Sequence, residues 1–305
     1  MVSLPNKKDF GNMEVIALLE TNNTFFLVVV GLFSLLVGSF LNAAIYRIPI
    51  MLQNEWRSEC QELLGGEDSS ESSQSSQPFN LFVPRSQCPH CGHMITALEN
   101  IPVLSYLFLG GKCSSCKTRI SIQYPLIEIF TALLSVFVAW KIGFGWPVLA
   151  ALLFTWVLIL LSLIDAKTML LPDNLTLPLM WIGIAVNYFS AFVDLQSSVL
   201  GAMFGYLSLW SLFHVFKLIT GKEGMGYGDF KILAAIGAWG GWQILPFTVF
   251  VASFLGAFFG ILWMLIQRKK DSQAIPFGPW LALAGFVAFI WRDEVVQFMT
   301  NYFMV

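Results

Sequence analysis

Residues 24–45 form an unbroken apolar run without one charged side chain. A helix needs roughly 20 such residues to cross the hydrocarbon of a bilayer. The run is too long for a signal-peptide core, and no basic cluster stands directly before it, so it reads as a retained span. Seven further runs follow, at 124–140, 146–164, 174–193, 198–219, 232–245, 248–266 and 275–290. The run at 232–245 is the weakest, being short and interrupted by Gly237, Gly240 and Gly241. The runs are continuous rather than alternating, which disfavours a β-barrel. The expected fold is therefore an all-α polytopic membrane protein with about eight transmembrane helices. Composition agrees. Of 305 residues, 56% are hydrophobic and 12% charged, whereas a soluble domain carries about 25% charged. The mean hydropathy is +0.70. A soluble globular enzyme and a disordered chain are excluded, and a net charge of -2 excludes a nucleic-acid binder.

Lys and Arg set the orientation. With the N-terminus outside, the cytoplasmic segments are 46–123, 165–173, 217–231 and 267–274. They hold 13 of the 17 basic residues, leaving Lys7, Lys8, Lys141 and Arg292 outside. That bias is a positive-inside signal. The expected layout is an outer N-terminal segment (1–23), a first transmembrane helix (24–45) and a cytoplasmic loop domain (46–123). A seven-helix membrane domain (124–291) and an outer tail (292–305) follow. Residues 66–77, rich in Ser, Gln and Glu, cannot bury a core and read as a flexible insertion.

The loop carries Cys88-Pro-His-Cys91 and, after 21 residues, Cys113-Ser-Ser-Cys116. Two such knuckles can place four thiolates tetrahedrally around Zn²⁺. The expected location is cytosolic, where disulfides rarely persist. Redox CxxC pairs and four unrelated cysteines are the competing readings. His90 and His93 read as bystanders, and Cys60 as a free thiol.

Acids fixed in apolar context are costly and more often functional than solvated ones. Asp165 ends the third run, and Asp229 opens the sixth after Gly224, Gly226 and Gly228. The topology puts both at the cytoplasmic membrane face. Two neighbouring carboxylates cannot both ionise cheaply, so they share a proton. Such a pair performs aspartic proteolysis: one carboxylate deprotonates water while the other, protonated, polarises the scissile carbonyl. The glycines would let the backbone turn tightly and let a substrate strand approach. The bland alternative is two interfacial acids with no joint role. Asp173 suits a helix N-cap, and Glu128 is an acid just inside the second span.

Seven motifs then occur in order. They are Gly38-Ser-Phe-Leu-Asn42 through Tyr46-Arg47-Ile-Pro49; Cys88-x-x-Cys91; Glu99-Asn-Ile-Pro102 through Cys113-x-x-Cys116; Tyr124-Pro-Leu-Ile-Glu128; Asp165-x6-Pro172-Asp173; Gly226-x-Gly228-Asp229-x-Lys231; and Pro276-Phe-Gly-Pro279. From about Gly31 onward the chain resembles the prepilin peptidases, or type IV leader peptidases, which are membrane aspartic proteases and N-methyltransferases. The resemblance implies that Asp165 and Asp229 are the catalytic pair. It also implies that Cys88, Cys91, Cys113 and Cys116 form a tetracysteine zinc site. The implied substrates are prepilins and pseudopilins, of type IV pili or type II secretion. Their short basic leader is cut after Gly at the cytoplasmic face of the bacterial inner membrane, and the new N-terminal residue is methylated with S-adenosylmethionine. No GxGxxG module follows a strand, so Glu99 and Glu128 are named as candidate polar contacts to that cofactor. The implied partners are the prepilin substrates and the lipid bilayer, with no nucleic acid; oligomeric state is open. A membrane thiol oxidoreductase using the paired CxxC motifs is the alternative, and a small transporter using the acids ranks last.

Overall fold

A computed structural model describes residues 16–63, 79–81, 83–267 and 276–303. The Ser-rich stretch at 66–77, most of the expected N-terminal segment, and the basic residues Lys7, Lys8, Arg268, Lys269 and Lys270 lie outside the described residues. Among the described residues, regular structure is helical. The β pairing is confined to two isolated bridges, Gln87–Met94 and Lys112–Arg119. Each of the eight apolar runs falls on a helix: α1 (Asn23–Leu63), α3 (Gln123–Ile142), α4 (Trp146–Thr168), α5 (Asp173–Tyr188), α6 (Leu195–Thr220), α7 (Tyr227–Gly240), α8 (Leu245–Gln267) and α9 (Gly278–Ile290). A short α2 (Leu104–Phe108) lies in the loop after α1, and α10 (Arg292–Phe303) follows α9.

Five stretches are long and apolar enough to cross a membrane unaided: Asn23–Leu63, Gln123–Ile142, Trp146–Thr168, Leu195–Thr220 and Trp242–Ile266. The chain is a multi-pass membrane protein. The other three helices, α5, α7 and α9, have only 16, 14 and 13 residues. At 1.5 Å per residue they rise about 20–24 Å, short of the roughly 30 Å of hydrocarbon.

Two elements run beyond the apolar pattern. α1 does not stop with its run at residue 45 but continues to Leu63. Residues 50–63 contain no glycine and are rich in Leu, Met, Gln, Glu and Arg, all good helix formers. The tail at 292–305 is not plain chain, because α10 begins at Arg292.

The chain divides into two compact units, residues 1–156 and 157–305. In the first, α1 and α3 approach closely at Gly38, where a Cβ would lie 2.7 Å from Glu128 Cα. Asn42 Nδ2 donates to the Tyr124 carbonyl at 3.0 Å beside this contact. Buried Arg47 donates to the carbonyls of Asn80, Leu81 and Pro84, tying the returning loop to α1.

In the second unit α7 is the core. Every residue from Ile232 to Gly240 is buried, as expected of a helix that is apolar on all sides. α6 packs on it through Gly201, whose backbone meets that of Gly237, and through Gly205 against Leu233 and Ala234. Such small residues let membrane helices come together at backbone distance. The last carbonyls of a helix lack intrahelical donors, and side chains from elsewhere in the unit supply them. Ser198 Oγ and Asn187 Nδ2 donate to Ala238, Asn187 Nδ2 to Trp239, and Arg292 Nε to Gly240. Gly241, at φ +85°, then turns the chain away. This fixes α7 along its axis and therefore fixes Asp229 at its start.

Candidate active site

α4 ends in the second unit with Asp165 one turn before its terminus. The side chain is 5% exposed, beside the buried Leu161 and Ile164. The helix closes at Met169, which sits at φ +54° with its N–H bonded to the Asp165 carbonyl at 2.8 Å. Leu171 and Pro172 then lead into α5. Asp229 is the third residue of α7, after the N-cap Gly226, and is 7% exposed. A carboxylate in the first turn is favoured by the helix dipole.

The two acids share one neighbourhood, since the Leu171 side chain meets both Gly228, next to Asp229, and Gly278, whose N–H bonds Asp165. A third element completes the arrangement. The N–H of Gly278, the first residue of α9, donates to Asp165 Oδ2 at 3.0 Å. A Cβ on Gly278 would stand 2.6 Å from that same oxygen and 3.1 Å from Asp165 Cγ. Glycine is thus required there by space, since its backbone approaches the carboxylate directly. Nothing in the sequence pattern around Pro276-Phe-Gly-Pro279 assigns this role, because a backbone donor has no residue signature.

The glycines before Asp229 act differently from expectation. None of Gly224, Gly226 and Gly228 has a positive φ, so the turn does not depend on left-handed backbone. At Gly228 a Cβ would lie 2.6 Å from Leu171 Cβ, and at Gly224 one would lie 2.8 Å from the Phe216 ring. Gly226 alone is open: its neighbour is Asp229 Oδ2 at 3.9 Å. Leu171 also touches the Gly278 position, so this one side chain wedges the starts of α7 and α9 beside Asp165.

Asp173 is not an N-cap. Pro172 holds that place and Asp173 is the first helical residue. Its two oxygens each accept from Lys231 Nζ at 2.6 Å. This ion pair ties the start of α5 to the first turn of α7 and occupies both oxygens of Asp173.

The cysteines converge in the first unit. Their four Sγ atoms lie within 4.8 Å of one another, with Cys88–Cys116 at 3.8 Å and Cys91–Cys113 at 4.0 Å across the two knuckles. Sulfurs 2.3 Å from a tetrahedral metal stand about 3.8 Å apart. The knuckles share one backbone design. Cys88 N donates to His93 O and Cys113 N to Thr118 O, while Gly92 and Lys117 occupy the left-handed position after each second cysteine. The Thr118 hydroxyl and N–H hold the Cys116 thiol down at about 6. The N–H groups of His90 and Cys91 lower Cys88. Cys91 accepts from the His93 N–H, but desolvation and the other three sulfurs keep it up at about 11. Four sulfurs crowded together cannot all ionise without a cation among them, so the donor set fits a metal ion.

Glu99 and Glu128 have different partners. Glu99 belongs to the knuckles: Thr96 N and Thr96 Oγ1 donate to Oε2 at 2.8 and 2.9 Å, and His93 Nε2 lies 3.3 Å from both oxygens and 3.1 Å from Ser114 Oγ. Hydrogen bonding from Ser114, then from Thr96, holds the carboxyl at about 2. Buried Glu128 in α3 accepts the Val103 N–H at 2.8 Å.

Comparison with known proteins follows the same division of the chain. Residues 32–142 match the bacterial peptidase A24 N-terminal domain, and residues 152–261 match the type IV leader peptidase family. The chain belongs to the type IV leader peptidase family. Relatives named prepilin leader peptidase/N-methyltransferase occur in several bacteria. The one from Aeromonas hydrophila is 55% identical over 89% of this chain and 93% of its own length. The one from Pseudomonas aeruginosa is 53% identical over 87% and 90%. The one from Legionella pneumophila is 46% identical over 92% and 96%. No solved structure matches the chain significantly. In this leader peptidase, the second family match contains both Asp165 and Asp229, and the first contains all four clustered cysteines.

Proposed function

We propose that this chain is a prepilin leader peptidase and N-methyltransferase whose proteolytic groups are Asp165 and Asp229. The single observation that carries the proteolytic assignment is the pair of almost fully buried carboxylates at the end of α4 and the start of α7, joined through the contacts of Leu171 and Gly278. Such a pair holds one proton between its members. The ionised member takes a proton from water, and the water oxygen attacks the scissile carbonyl carbon. The protonated member donates to the carbonyl oxygen as charge develops there. Collapse of the tetrahedral intermediate expels the amine, which takes the proton first drawn from water. The Gly278 N–H holds Asp165 in one orientation throughout. Open space at Gly226 beside Asp229 admits the substrate backbone.

The substrates are prepilins and pseudopilins. Cleavage after the Gly of their leader fits an acid pair at the cytoplasmic face of the inner membrane, since the hydrophobic helix that follows the leader stays in the bilayer. S-adenosylmethionine supplies the methyl group for the new N-terminus. We place polar contacts to it in the first unit, where Glu128 is better positioned than Glu99, whose two oxygens are already engaged. Cys88, Cys91, Cys113 and Cys116 would hold Zn²⁺ as a structural tie between the knuckles. All four Sγ atoms converge within 4.8 Å of one another, an arrangement that suits one shared metal ion better than two separate dithiol pairs.

The test is to incubate purified protein with a prepilin and S-adenosylmethionine and to weigh the product. Loss of the leader and gain of one CH2 at the new N-terminus is the expected result. An intact prepilin contradicts the reading.

A further inference from the structure

We propose that α2 is a membrane-surface tip, with Leu104, Leu107 and Phe108 inserted into the lipid leaflet that α3 enters. The inference rests on reading α3 as a transmembrane helix.

The position of α2 comes from one hydrogen bond. Val103, the residue before α2, donates its N–H to Glu128 Oε2 at 2.8 Å. Glu128 lies five residues into α3, so this anchor sits about 7 Å along a spanning helix from its start. Val103 has φ 61°, a backbone conformation unfavourable for a β-branched residue. The chain thus bends sharply at the anchor, and α2 begins there.

The surface of α2 is apolar. Leu104, Leu107 and Phe108 are 51%, 66% and 86% exposed. In water this cluster would be unfavourable for so short a helix. α3 likewise exposes apolar residues, Leu126, Ile129, Phe130 and Leu133, in the manner of lipid-facing side chains. The α2 turn is held shut rather than loose. Gly110 and Gly111 follow it at φ +61° and +67°, Gly111 N donates to Tyr106 O, and the Tyr106 ring lies where a Gly111 side chain would be.

Charge points the same way. Residues 100–127 contain Lys112, Lys117 and Arg119 and no acid. All three cations are exposed on the second knuckle. An apolar tip backed by cations is the pattern of an element lying in the interface of an anionic membrane. The knuckle is then held against the membrane at two places, by α3 itself and by α2.

The full-length protein is placed in nanodiscs containing anionic lipid, with photoreactive benzoylphenylalanine at Phe108, at Phe130 of α3 or at Ser115 of the second knuckle. Lipid adducts are read by mass spectrometry after illumination. Adducts at 108 matching those at 130, and about tenfold above those at 115, are expected for a side chain immersed in lipid. Lipid adducts at 130 but not at 108 would overturn the proposal while leaving the spanning reading intact. Loss of lipid adducts at 108 to prepilin adducts when substrate is added would assign the surface to substrate and also overturn it. Absence of lipid at both 108 and 130 would remove the spanning reading and the proposal together. Replacing Lys112, Lys117 and Arg119 by Gln should lower the 108 adduct yield in anionic discs and leave it unchanged in zwitterionic ones.

Discussion

Gly278 holds the place of Asp165 without any side chain of its own. Its N–H meets Oδ2, and a methyl group there would press on the same oxygen at 2.6 Å. Gly278→Ala must push the carboxylate aside or shift α9. An overpacked buried site costs about 1–3 kcal/mol, and each 1.4 kcal/mol is tenfold in rate. Leader cleavage should fall about ten- to hundredfold, while methylation of an already cleaved pilin is kept; steady-state assays of each step check this. Leu171 makes a sharper test. Gly228→Ala would put its methyl 2.6 Å from Leu171 Cβ, so that variant should lose activity, and Leu171→Gly, which removes that Cβ, should restore part of it. A double-mutant cycle on cleavage rate measures the coupling. The acids themselves were legible in the sequence, because a carboxyl in an apolar run stands out. Gly278 was not, because its contact lies 113 residues from Asp165 and is made by a backbone group that every residue except proline carries. The pairing of Asp173 with Lys231 was hidden for the same reason of distance, 58 residues.

At the scale of elements, the knuckles and the short helices divide the work. Each knuckle is a tight turn that cannot bury a core, so the four-sulfur cluster and the Thr96–Glu99–His93–Ser114 network bring the two together. Purified protein should contain about one zinc per chain, as a tetrahedral four-thiolate site binds one ion, and elemental analysis after Cys88→Ser should show it reduced. Glu99 adds a pH signature. Its pKa is depressed to about 2, so its contribution is fully present above the unfolded carboxyl value near 4.3. That contribution is lost as pH falls through about 2. Glu99→Gln should therefore make the zinc easier to strip with chelator at neutral pH, and remove the part of the acid sensitivity that falls between those two values. The CxxC spacing announced this site directly. The run lengths did not announce that α5, α7 and α9 would be short. Their first turns, at Asp173, Asp229 and Gly278, all reach the carboxylate pair or its neighbours, so the chain stops being helical where the chemistry needs backbone donors and space. Irregular backbone at that depth is tolerated where it is enclosed by protein or lines a cavity.

At the scale of the whole molecule, eight apolar runs became eight helices, since hydropathy reads directly on what a bilayer requires. What the runs could not carry was ends and tails. α1 continues on helix propensity after its apolar residues finish, and α10 forms where a plain tail was expected. The acid pair and the cysteine cluster lie in different units, so the two activities should separate by mutation. Replacement of the cysteines should weaken methylation without removing the carboxylates, and replacement of the carboxylates should spare methylation. The most direct measurement is leader cleavage of a prepilin by Asp165→Asn and by Asp229→Asn, each also assayed for methylation of a pre-cleaved pilin. The account predicts that both variants lose cleavage by at least about a thousandfold, as removal of an acid–base group does, and that both still methylate. Full cleavage by either variant would contradict it.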